Sequence, residues 1–212
     1  MSRKYKILSI TLKKEKKKKR YIVTLSNNNA FEVSEDVLID KSLYINKEIY
    51  KTDLDKILLR ESFSNVREAA LVLLNYRMRS KKELYQKLVK KGYKNDMVIE
   101  IINDFEKKGW LDDEKFGLAY SREQINRNKL GPIALKYKLK EFLDSEELIQ
   151  QISSTIYSEI EIEEIINQVL YRHGIDVINN DENLKRKLIN KLKRKGHYWQ
   201  DIDDALNKYL SS

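Results

Sequence analysis

The chain has 212 residues and a formal net charge of +9, and 35% of its residues are charged. It contains no cysteine, which excludes a disulfide framework and a thiolate metal site. With six glycines and one proline, the composition favours helices with short connections over an all-β fold. The apolar runs are too short for a transmembrane helix, and the N-terminus lacks the hydrophobic segment of a signal peptide, so we expect a cytoplasmic protein.

The excess of positive charge favours a polyanionic partner. Nucleic acid, an anionic membrane surface and an acidic protein would all fit. A lysine-rich surface that binds nothing is the remaining alternative. Among these, the charge favours nucleic acid.

Residues 1–62 are predicted to form a small β-hairpin module and a linker helix. Alternating apolar residues predict one strand around Ile10 and Leu12 and a second strand over residues 21–25. The connecting segment, residues 13–20, is basic at every position except Glu15. It could grasp phosphate, or its charge could prevent edge-to-edge pairing of strands, and the sequence supports both interpretations equally.

The same module continues with a third short strand around residues 31–33. Ser34 is predicted to cap a brief helical segment. A further helix is expected to start near Thr52, with Leu54, Ile57 and Leu58 facing inward.

Residues 66–120 carry the most consistent helical signals in the chain. Apolar residues at one-face spacing over residues 66–74 predict a first short helix. The sequence Ser80-x-x-Glu83 is a capping box for a second helix, which Gly92 ends. A third helix opens at Asn95 or Asp96 and ends at Gly109. A fourth begins at the pair Asp112-Asp113, whose carboxylates suit a helix N-terminus.

This pattern recurs with a period of about 50 residues, which is typical of a repeat array. Its first copy consists of Leu84, Leu88, Gly92, Val98, Ile101, Ile102 and Phe105. Its last copy consists of Leu188, Leu192, Gly196, Ile202, Ala205, Leu206 and Tyr209. A middle copy consists of Leu135, Leu139, Leu143, Ile149, Ile152 and Ile156, with Leu143 in place of the closing glycine.

We therefore predict a mainly α fold of three tandem three-helix, helix-turn-helix-like repeats that form an elongated, monomeric array behind the β-hairpin module. The predicted bounds of the repeats are residues 63–113, 114–160 and 161–212. Pro132 is expected at the first position of a helix. Residues 173–183 are expected to form a longer connection within the third repeat.

Catalysis has little support in the sequence. His173 and His197 lie near predicted helix ends, without a carboxylate or serine pattern around them. Asp112 and Asp113 are better explained as helix caps than as metal ligands, and no Gly-rich phosphate loop occurs. We expect no enzyme activity, no cofactor and no metal. Trp110 and Trp199 are interpreted as parts of the core between helices rather than as base-stacking platforms.

Basic residues cluster at matching places in the three repeats, which favours binding of a polyanion along one edge of the array. The alternative is that each cluster is the solvated face of a helix, where lysine stems cover apolar edges. The predicted binding residues are Arg77, Arg79, Lys81 and Lys82 in the first repeat, Arg122, Arg127, Lys129, Lys136, Lys138 and Lys140 in the second, and Lys185, Arg186, Lys193 and Arg194 in the third. Three further lysines crowd the last of these clusters: Lys187, Lys191 and Lys195.

Two motifs resemble the RecX family, the modulators of the RecA recombinase. They are Arg77-x-Arg79-Ser80-Lys81-x-Glu83-Leu84-x-x-x-Leu88-x-x-x-Gly92 and, more specifically, Gly109-Trp110-Leu111-Asp112-Asp113-x-x-Phe116-x-x-x-Tyr120. The resemblance implies tandem three-helix repeats that lie in the groove of the RecA–DNA filament. It also implies a function in recombination, DNA repair and the SOS response, by limiting strand exchange, ATP turnover and repressor cleavage.

Two rival functions remain open. The first is a RecA-independent DNA-binding protein of helix-turn-helix type. Its second helices are rich in lysine and poor in the side chains that read base edges, so it would contact the phosphate backbone of single- and double-stranded DNA without sequence preference. The second rival is a scaffold for an acidic protein, whose binding would not depend on nucleic acid.

Overall fold

The computed structural model describes residues 3–14 and 19–211, which form two compact units. The first unit comprises residues 1–77 and 88–103, and the second comprises residues 78–87 and 104–212. Two helices, α3 (Lys81–Lys90) and α4 (Asn95–Lys107), therefore contribute residues to both units.

The first unit is built on a four-stranded antiparallel sheet in the order β3-β2-β1-β4. Its strands are β1 (Lys4–Lys14), β2 (Lys19–Leu25), β3 (Ala30–Ser34) and β4 (Glu48–Tyr50). The predicted hairpin and third strand are confirmed, whereas β4 was not predicted. The tip of the predicted hairpin, residues 15–18, lies outside the described residues, so the basic segment between the strands is only partly visible.

The register of β1 corrects one sequence expectation. The pairing with β2 shifts between Ile7 and Ser9, and Ile7 on the near side of this bulge is fully buried. A bulge changes which residues of a strand face the core. Ile10 still packs against the core, but Leu12, which pairs with Tyr21, is 53% exposed. The prediction that Leu12 lies on the buried face is therefore wrong.

One short helix contributes to the core of this unit. Helix α1 (Glu35–Asp40) begins at Ser34, whose hydroxyl accepts the N–H of Val37 at 3.4 Å, as the sequence predicts. The buried core consists of Ile7, Val23, Leu25, Val33, Val37, Leu43, Ile49 and Ile57.

Helix α2 (Lys51–Tyr76) is a single helix of 26 residues. The sequence predicts two shorter helices here, one that starts near Thr52 and one over residues 66–74. This prediction is wrong, because the helix continues without a break between the two segments. Ile57 is buried as expected, but Leu58 is exposed. The core-facing position one turn after Ile57 is taken by a carboxylate, Glu61, which is 5% exposed.

Glu61 joins α2 to the sheet through an ion pair that the sequence does not reveal. Arg20 of β2 donates to Glu61 at 2.7 Å, to Glu32 at 2.7 Å and to Asn65 at 2.9 Å. The second oxygen of Glu61 accepts from the backbone N–H and the hydroxyl of Ser34, at 2.8 and 3.0 Å. A buried carboxylate needs hydrogen bonds or ion pairs to both of its oxygens to remain charged.

Seven helices lie entirely in the second unit. They are α5 (Asp113–Asn128), α6 (Pro132–Lys140), α7 (Glu146–Glu159), α8 (Ile162–Leu170), α9 (Ile175–Asn180), α10 (Glu182–Arg194) and α11 (Trp199–Ser211). Pro132 occupies the first turn of α6, as predicted. The expected long connection in the third repeat instead contains α9, and Asp181 then caps α10 through the N–H of Leu184 at 3.0 Å.

The repeat pattern marks the buried residues of this unit with few exceptions. One core is formed by α5, α6 and α7 with Ile165 of α8, and it includes every apolar residue of the middle copy. Another is formed by α8 to α11 and includes every apolar residue of the last copy. The apolar residues of the first copy are all at most 7% exposed. Gly92 and Gly196, at the same repeat position, adopt φ values of +90° and +83°.

Candidate nucleic-acid interface

The basic turn that enters α3 is largely neutralised by acidic residues. Arg79 is buried, with its guanidinium on the carboxylate of Glu83. The Ser80 hydroxyl accepts the N–H of Glu83 at 3.1 Å, which confirms that half of the predicted capping box. Because Arg79 is buried and ion-paired, its assignment as a surface contact for DNA or RecA is wrong.

The two lysines of this turn are also engaged. Lys81 donates to Glu106 at 2.7 Å, and this hydrogen bond raises the pKa of Lys81. The backbone N–H of Lys81 donates to the carboxylate of Asp113 at 2.8 Å, and burial raises the pKa of Asp113. Lys82 lies 2.9 Å from Asp144. Arg77 is exposed and follows the end of α2.

Most basic residues of the second repeat have a glutamate within ion-pair distance. The pairs are Arg122–Glu159 at 3.0 Å, Arg127–Glu123 at 3.3 Å, Lys138–Glu141 at 3.0 Å and Lys140–Glu146 at 2.7 Å. These pairs are exposed, so salt and water weaken them, but they reduce the net positive potential of this face. Lys129 and Lys136 take part in no ion pair within residues 3–14 and 19–211.

Unlike most basic residues of the second repeat, those of α10 form no ion pair within the described part of the chain. Arg186 donates to the amide oxygen of Asn183, and Arg194 donates to the carbonyl of Asn190, both at 3.4 Å. The ammonium of Lys193 lies 4.5 Å from the ring centre of Trp199. The third predicted cluster therefore keeps its charge.

The turn that follows α10 is joined to the turn that precedes α6. We call this contact between residues 128–134 and residues 195–197 the junction. The N–H of Gly131 donates to the carbonyl of Lys195 at 2.8 Å, and the N–H of Ile133 donates to the carbonyl of Gly196 at 3.1 Å. These bonds satisfy donors at the N-terminus of α6, so this helix end is not open to an anion.

The two glycines of the junction allow the backbones to touch. A Cβ atom on Gly196 would lie 2.2 Å from the backbone nitrogen of Ala134. A Cβ atom on Gly131 would lie 2.5 Å from the carbonyl of Gly196. The positive φ of Gly196 serves a turn as well, so this residue is required both by conformation and by space.

Three basic side chains, Lys129, Arg172 and Lys191, act through their charge on Lys195 at the junction. We call Lys129, Arg172, Lys191 and Lys195 the junction cluster. Burial lowers the pKa of Lys195, and the positive charges of Lys191, Arg172 and Lys129 lower it further. No carboxylate among the described residues contributes to this shift, which is the reverse of the situation at Lys81.

Backbone contacts hold the cluster in place. The Nζ of Lys195 donates to the carbonyl of Asn128. Lys129 has a left-handed backbone with φ of +52°, and its carbonyl accepts a hydrogen bond from Nε2 of His197 at 3.0 Å. Since a carbonyl can only accept, Nε2 must carry the proton. His197 is buried, and burial lowers its pKa.

One member of this cluster, Arg172, was not predicted from the sequence. Arg172 follows the last turn of α8, and no local motif marks it. The repeat itself could have pointed to it, because Arg172 lies one period of about 50 residues after Arg122. Lys191 and Lys195 were noted only as members of a crowded helix.

The structure also tests the predictions made for Asp112, Trp110 and Trp199. Asp112 accepts the N–H of Lys115 at 2.9 Å and caps α5, as predicted. Trp110 and Trp199 are 48% and 50% exposed, so their interpretation as core residues is wrong. The ammonium groups of Lys108 and Lys193 lie over their rings, 5.6 Å and 4.5 Å from the ring centres. Among the described residues, no group of His, Asp and Glu could hold a metal ion.

No helix in the described ranges has the length and apolar content needed to cross a bilayer.

Comparison with known proteins agrees with this architecture. Residues 67–105 match the family described as RecX, first three-helix domain. The Regulatory protein RecX of Clostridium tetani is 27% identical over 211 residues, which covers 98% of this chain and 95% of that protein. The Regulatory protein RecX of Bacillus pumilus is 29% identical over 189 residues, which covers 89% of this chain and 72% of that protein.

Solved structures share the fold. A crystal structure of regulatory protein RecX superposes with a TM-score of 0.71 at 23% identity, over 94% of this chain and 99% of that one. The crystal structure of RecX from Lactobacillus salivarius gives a TM-score of 0.61 at 22% identity, over 72% of this chain and 98% of that one. The matched segment and the superpositions describe a chain that has a segment similar to the first three-helix domain of RecX behind an N-terminal sheet. The chain is similar to regulatory proteins named RecX over most of its length.

Proposed function

We propose that the protein binds the RecA–DNA filament and limits the recombinase, ATPase and coprotease activities of RecA. Similarity to the first three-helix domain of RecX and to regulatory proteins named RecX supports this function. The junction supports it physically, because backbone hydrogen bonds hold Lys195 of the third repeat against residues 128–131 of the second, and neither Lys129 nor Lys195 forms an ion pair among the described residues. A nucleoprotein filament offers the regularly spaced negative charge that such a surface would attract.

The basic turn before α3 is a weaker candidate for contact with the filament. Lys81 and Lys82 already lie within 3 Å of the carboxylates of Glu106 and Asp144. Reversing the charge of the whole turn would not test binding cleanly, because the buried residue Arg79 would become an acid beside Glu83. The junction cluster can be altered without disturbing a buried ion pair.

The experiment is RecA's ATP hydrolysis on single-stranded DNA, with this protein added well below the RecA concentration. Suppression at such a ratio is the expected result, since one bound molecule would affect many subunits of a filament. Suppression only when the protein equals or exceeds the DNA sites would indicate competition for DNA. An unchanged rate at every ratio would contradict the proposal.

The junction cluster also fits a second function, DNA binding without RecA. The two functions differ in one measurable respect, which is the dependence on RecA. Tight, salt-sensitive binding to bare DNA combined with unaltered RecA activity would favour the second function.

A further inference from the structure

We propose that the outer side of β1 beyond Ile7 is a docking site for an acidic, extended segment of a partner protein, which adds a fifth strand to the four-stranded sheet. We call this side of residues 8–14 the open edge. The proposal goes beyond the proposed function, because the site belongs to the N-terminal sheet and not to the helical repeats.

The open edge exists because β1 is longer than the strand that covers its outer side. β1 has 11 residues, and β4 pairs only with Lys4–Lys6. Two backbone hydrogen bonds of 2.9 Å from residues 46 and 47 extend this contact to Ile7. Within residues 3–14 and 19–211, no strand pairs with this side of β1 beyond that point, whereas β2 follows its other side as far as Lys14.

The alternation of the ladder shows which backbone groups point to the open edge. At the end of β2, the N–H of Leu25 donates to the turn that leads into β3, whereas the N–H of Ser26 donates to β1, both at 2.8 Å. The even-numbered residues of β2 therefore bond to β1, and their partners, the odd-numbered residues over 9–13, bond to β2. The N–H and C=O groups of Ile10, Leu12 and Lys14 consequently point away from β2.

Two leucines of the open edge are unusually exposed. Leu8, which the bulge leaves without a partner on β2, is 49% exposed, and Leu12 is 53% exposed. A sheet edge with outward backbone groups and exposed apolar side chains is a template for another strand. An added segment would bond to the outward N–H and C=O groups and cover both leucines, which is the mode of binding known as β-strand addition.

The sheet already shows how basic residues at this end of β1 are neutralised from a neighbouring strand. Lys13 and Arg20 lie opposite each other in the register of β1 and β2. Like charges in such a pair destabilise a sheet. Both side chains donate to Glu32 of β3, at 2.8 and 2.7 Å, and these bonds lower the pKa of Glu32. One carboxylate from a third strand therefore holds two cationic side chains.

The next pair in the register is also basic and lies on the opposite face of the sheet. It consists of Lys14 and Lys19. Lys19 has the carboxylate of Glu35, which follows β3, at 3.4 Å. A strand added at the open edge would run beside Lys14, on the side away from β2. A carboxylate on that strand would take the place that Glu32 takes for the first pair, so the register favours an acidic segment.

A second copy of this chain fits the open edge less well. Parallel pairing of two β1 strands would place their basic ends side by side. Antiparallel pairing would bring the basic end of one β1 towards Lys4 and Lys6 of the other, where β4 is already paired. The charge of this edge therefore opposes self-pairing and selects an acidic strand.

Nucleic acid also fits the open edge less well than a peptide. Phosphate oxygens accept hydrogen bonds from N–H groups, but they offer no donor to the outward C=O groups of Ile10 and Leu12. A peptide strand supplies donors and acceptors in the same alternation as β1. The backbone of the open edge is therefore complementary to another strand.

The test uses the full chain and a fluorescein-labelled peptide of alternating valine and glutamate, with binding measured by fluorescence anisotropy. Two further peptides of the same sequence carry N-methyl groups, one on every valine and the other on every glutamate. All three have the same charge. A strand added to an edge bonds to it through only one alternate set of residues, so one methylated peptide should bind at least about tenfold more weakly than the other.

Three variants of the chain locate the site. Leu12→Pro removes an outward N–H, at a position where an edge strand tolerates proline, and should weaken binding by about tenfold. Lys14→Gln should weaken it by about twofold to fivefold, as expected for one exposed ion pair. Lys6→Gln, the matched control, removes the same charge from β1 outside the open edge and should remain within about twofold of the wild type. Circular dichroism checks the folding of each variant, and the methylated peptides decide the question on the unaltered chain.

Several results would overturn the proposal. Absence of binding up to about 1 mM peptide would exclude the site. Equal affinity of the two methylated peptides would mean that charge alone attracts them, and an unchanged affinity in Leu12→Pro would place the peptide elsewhere. Self-association in analytical ultracentrifugation that Leu12→Pro abolishes would assign the edge to a second copy. Binding of a labelled oligothymidylate that Leu12→Pro weakens to the same extent would assign it to nucleic acid.

Discussion

The basic turn before α3 and the junction cluster are both rich in lysine and arginine, yet their charged side chains have very different neighbours. At the basic turn, Arg79 is buried against Glu83, and Lys81 donates to Glu106 at 2.7 Å. At the junction, the neighbours that lower the pKa of Lys195 through their charge are Lys191, Arg172 and Lys129. One cluster stabilises the fold, whereas the other retains its charge.

This difference shows that a count of basic residues does not measure the charge available for binding. The first motif, with Arg77, Arg79, Lys81 and Lys82, has the density of positive charge expected of a polyanion site. Acidic residues that are distant in the sequence, Glu106 and Asp144, neutralise it in the fold. A candidate binding surface is therefore better chosen from basic residues that have no carboxylate neighbour in the fold.

The largest expected effect is a loss of stability at the buried ion pair of Arg79 and Glu83, which holds the basic turn in the fold. Arg79→Ala should lower the free energy of unfolding by about 3–5 kcal/mol, because it leaves the Glu83 carboxylate buried beside an uncharged side chain. Arg172→Ala, at an exposed position, should change it by less than about 0.5 kcal/mol. Urea unfolding followed by circular dichroism measures both values. A loss below about 1 kcal/mol for Arg79→Ala would mean that solvent reaches Glu83.

A smaller loss of stability is expected at Gly196 of the junction than at Arg79. Gly92, at the same repeat position, serves as the comparison. Gly196→Ala should cost about 2–4 kcal/mol of unfolding free energy, since it adds a backbone clash at Ala134 to the strain of a left-handed alanine. Gly92→Ala should cost about 1–2 kcal/mol, because its φ is also positive but no atom lies within 4 Å of the added carbon. Equal losses in the two variants would show that the junction yields to accommodate the methyl group.

The smallest effect concerns the pH dependence that His197 gives to the junction. Its pKa is lowered in the folded state by burial, although the hydrogen bond to Lys129 and the charge of Asp201 act in the opposite direction. Stability should therefore be complete above the ordinary histidine pKa of about 6.5 and should fall as the pH drops towards the folded value. The slope due to this residue is at most about 1.4 kcal/mol per pH unit.

His197→Gln should flatten the stability curve between pH values of about 7.5 and 5.5 by about 1 kcal/mol relative to the wild type. His173→Gln provides the matched control, since it removes the other histidine of the chain, which is only half-buried. Urea unfolding at several pH values gives the slopes directly. The same flattening in both variants would mean that the burial of His197 is not what sets the slope.

Much of the fold could be predicted from the sequence because local rules agree with one another there. The spacing of Leu188, Leu192, Ile202 and Leu206 predicts buried helical faces, and all four residues are buried. The capping residues Asp112 and Ser34 lie where hydrogen-bonding rules place them. Errors arose where tertiary context outweighs local pattern, as for Leu58, where Glu61 takes the inward position.

The candidate site could be predicted only in part. Lys129 is among the predicted residues, but Arg172 is not, and Arg79 was assigned to a surface from which it is absent. Whether a basic side chain is free to bind depends on the distance to acidic residues in other elements. A single sequence contains no measure of that distance.

By itself, the sequence determined the helical repeat, its period, the glycines that end its helices and the resemblance to the RecX family. These properties depend on hydrophobic periodicity and on capping groups, which act over a few residues of the chain. The tertiary structure alone decided that the charges of Lys129 and Arg172 act on Lys195. It also decided that Arg79 is buried with Glu83. Electrostatic interactions act through space, so the pairing of charges is settled only when distant segments have packed together.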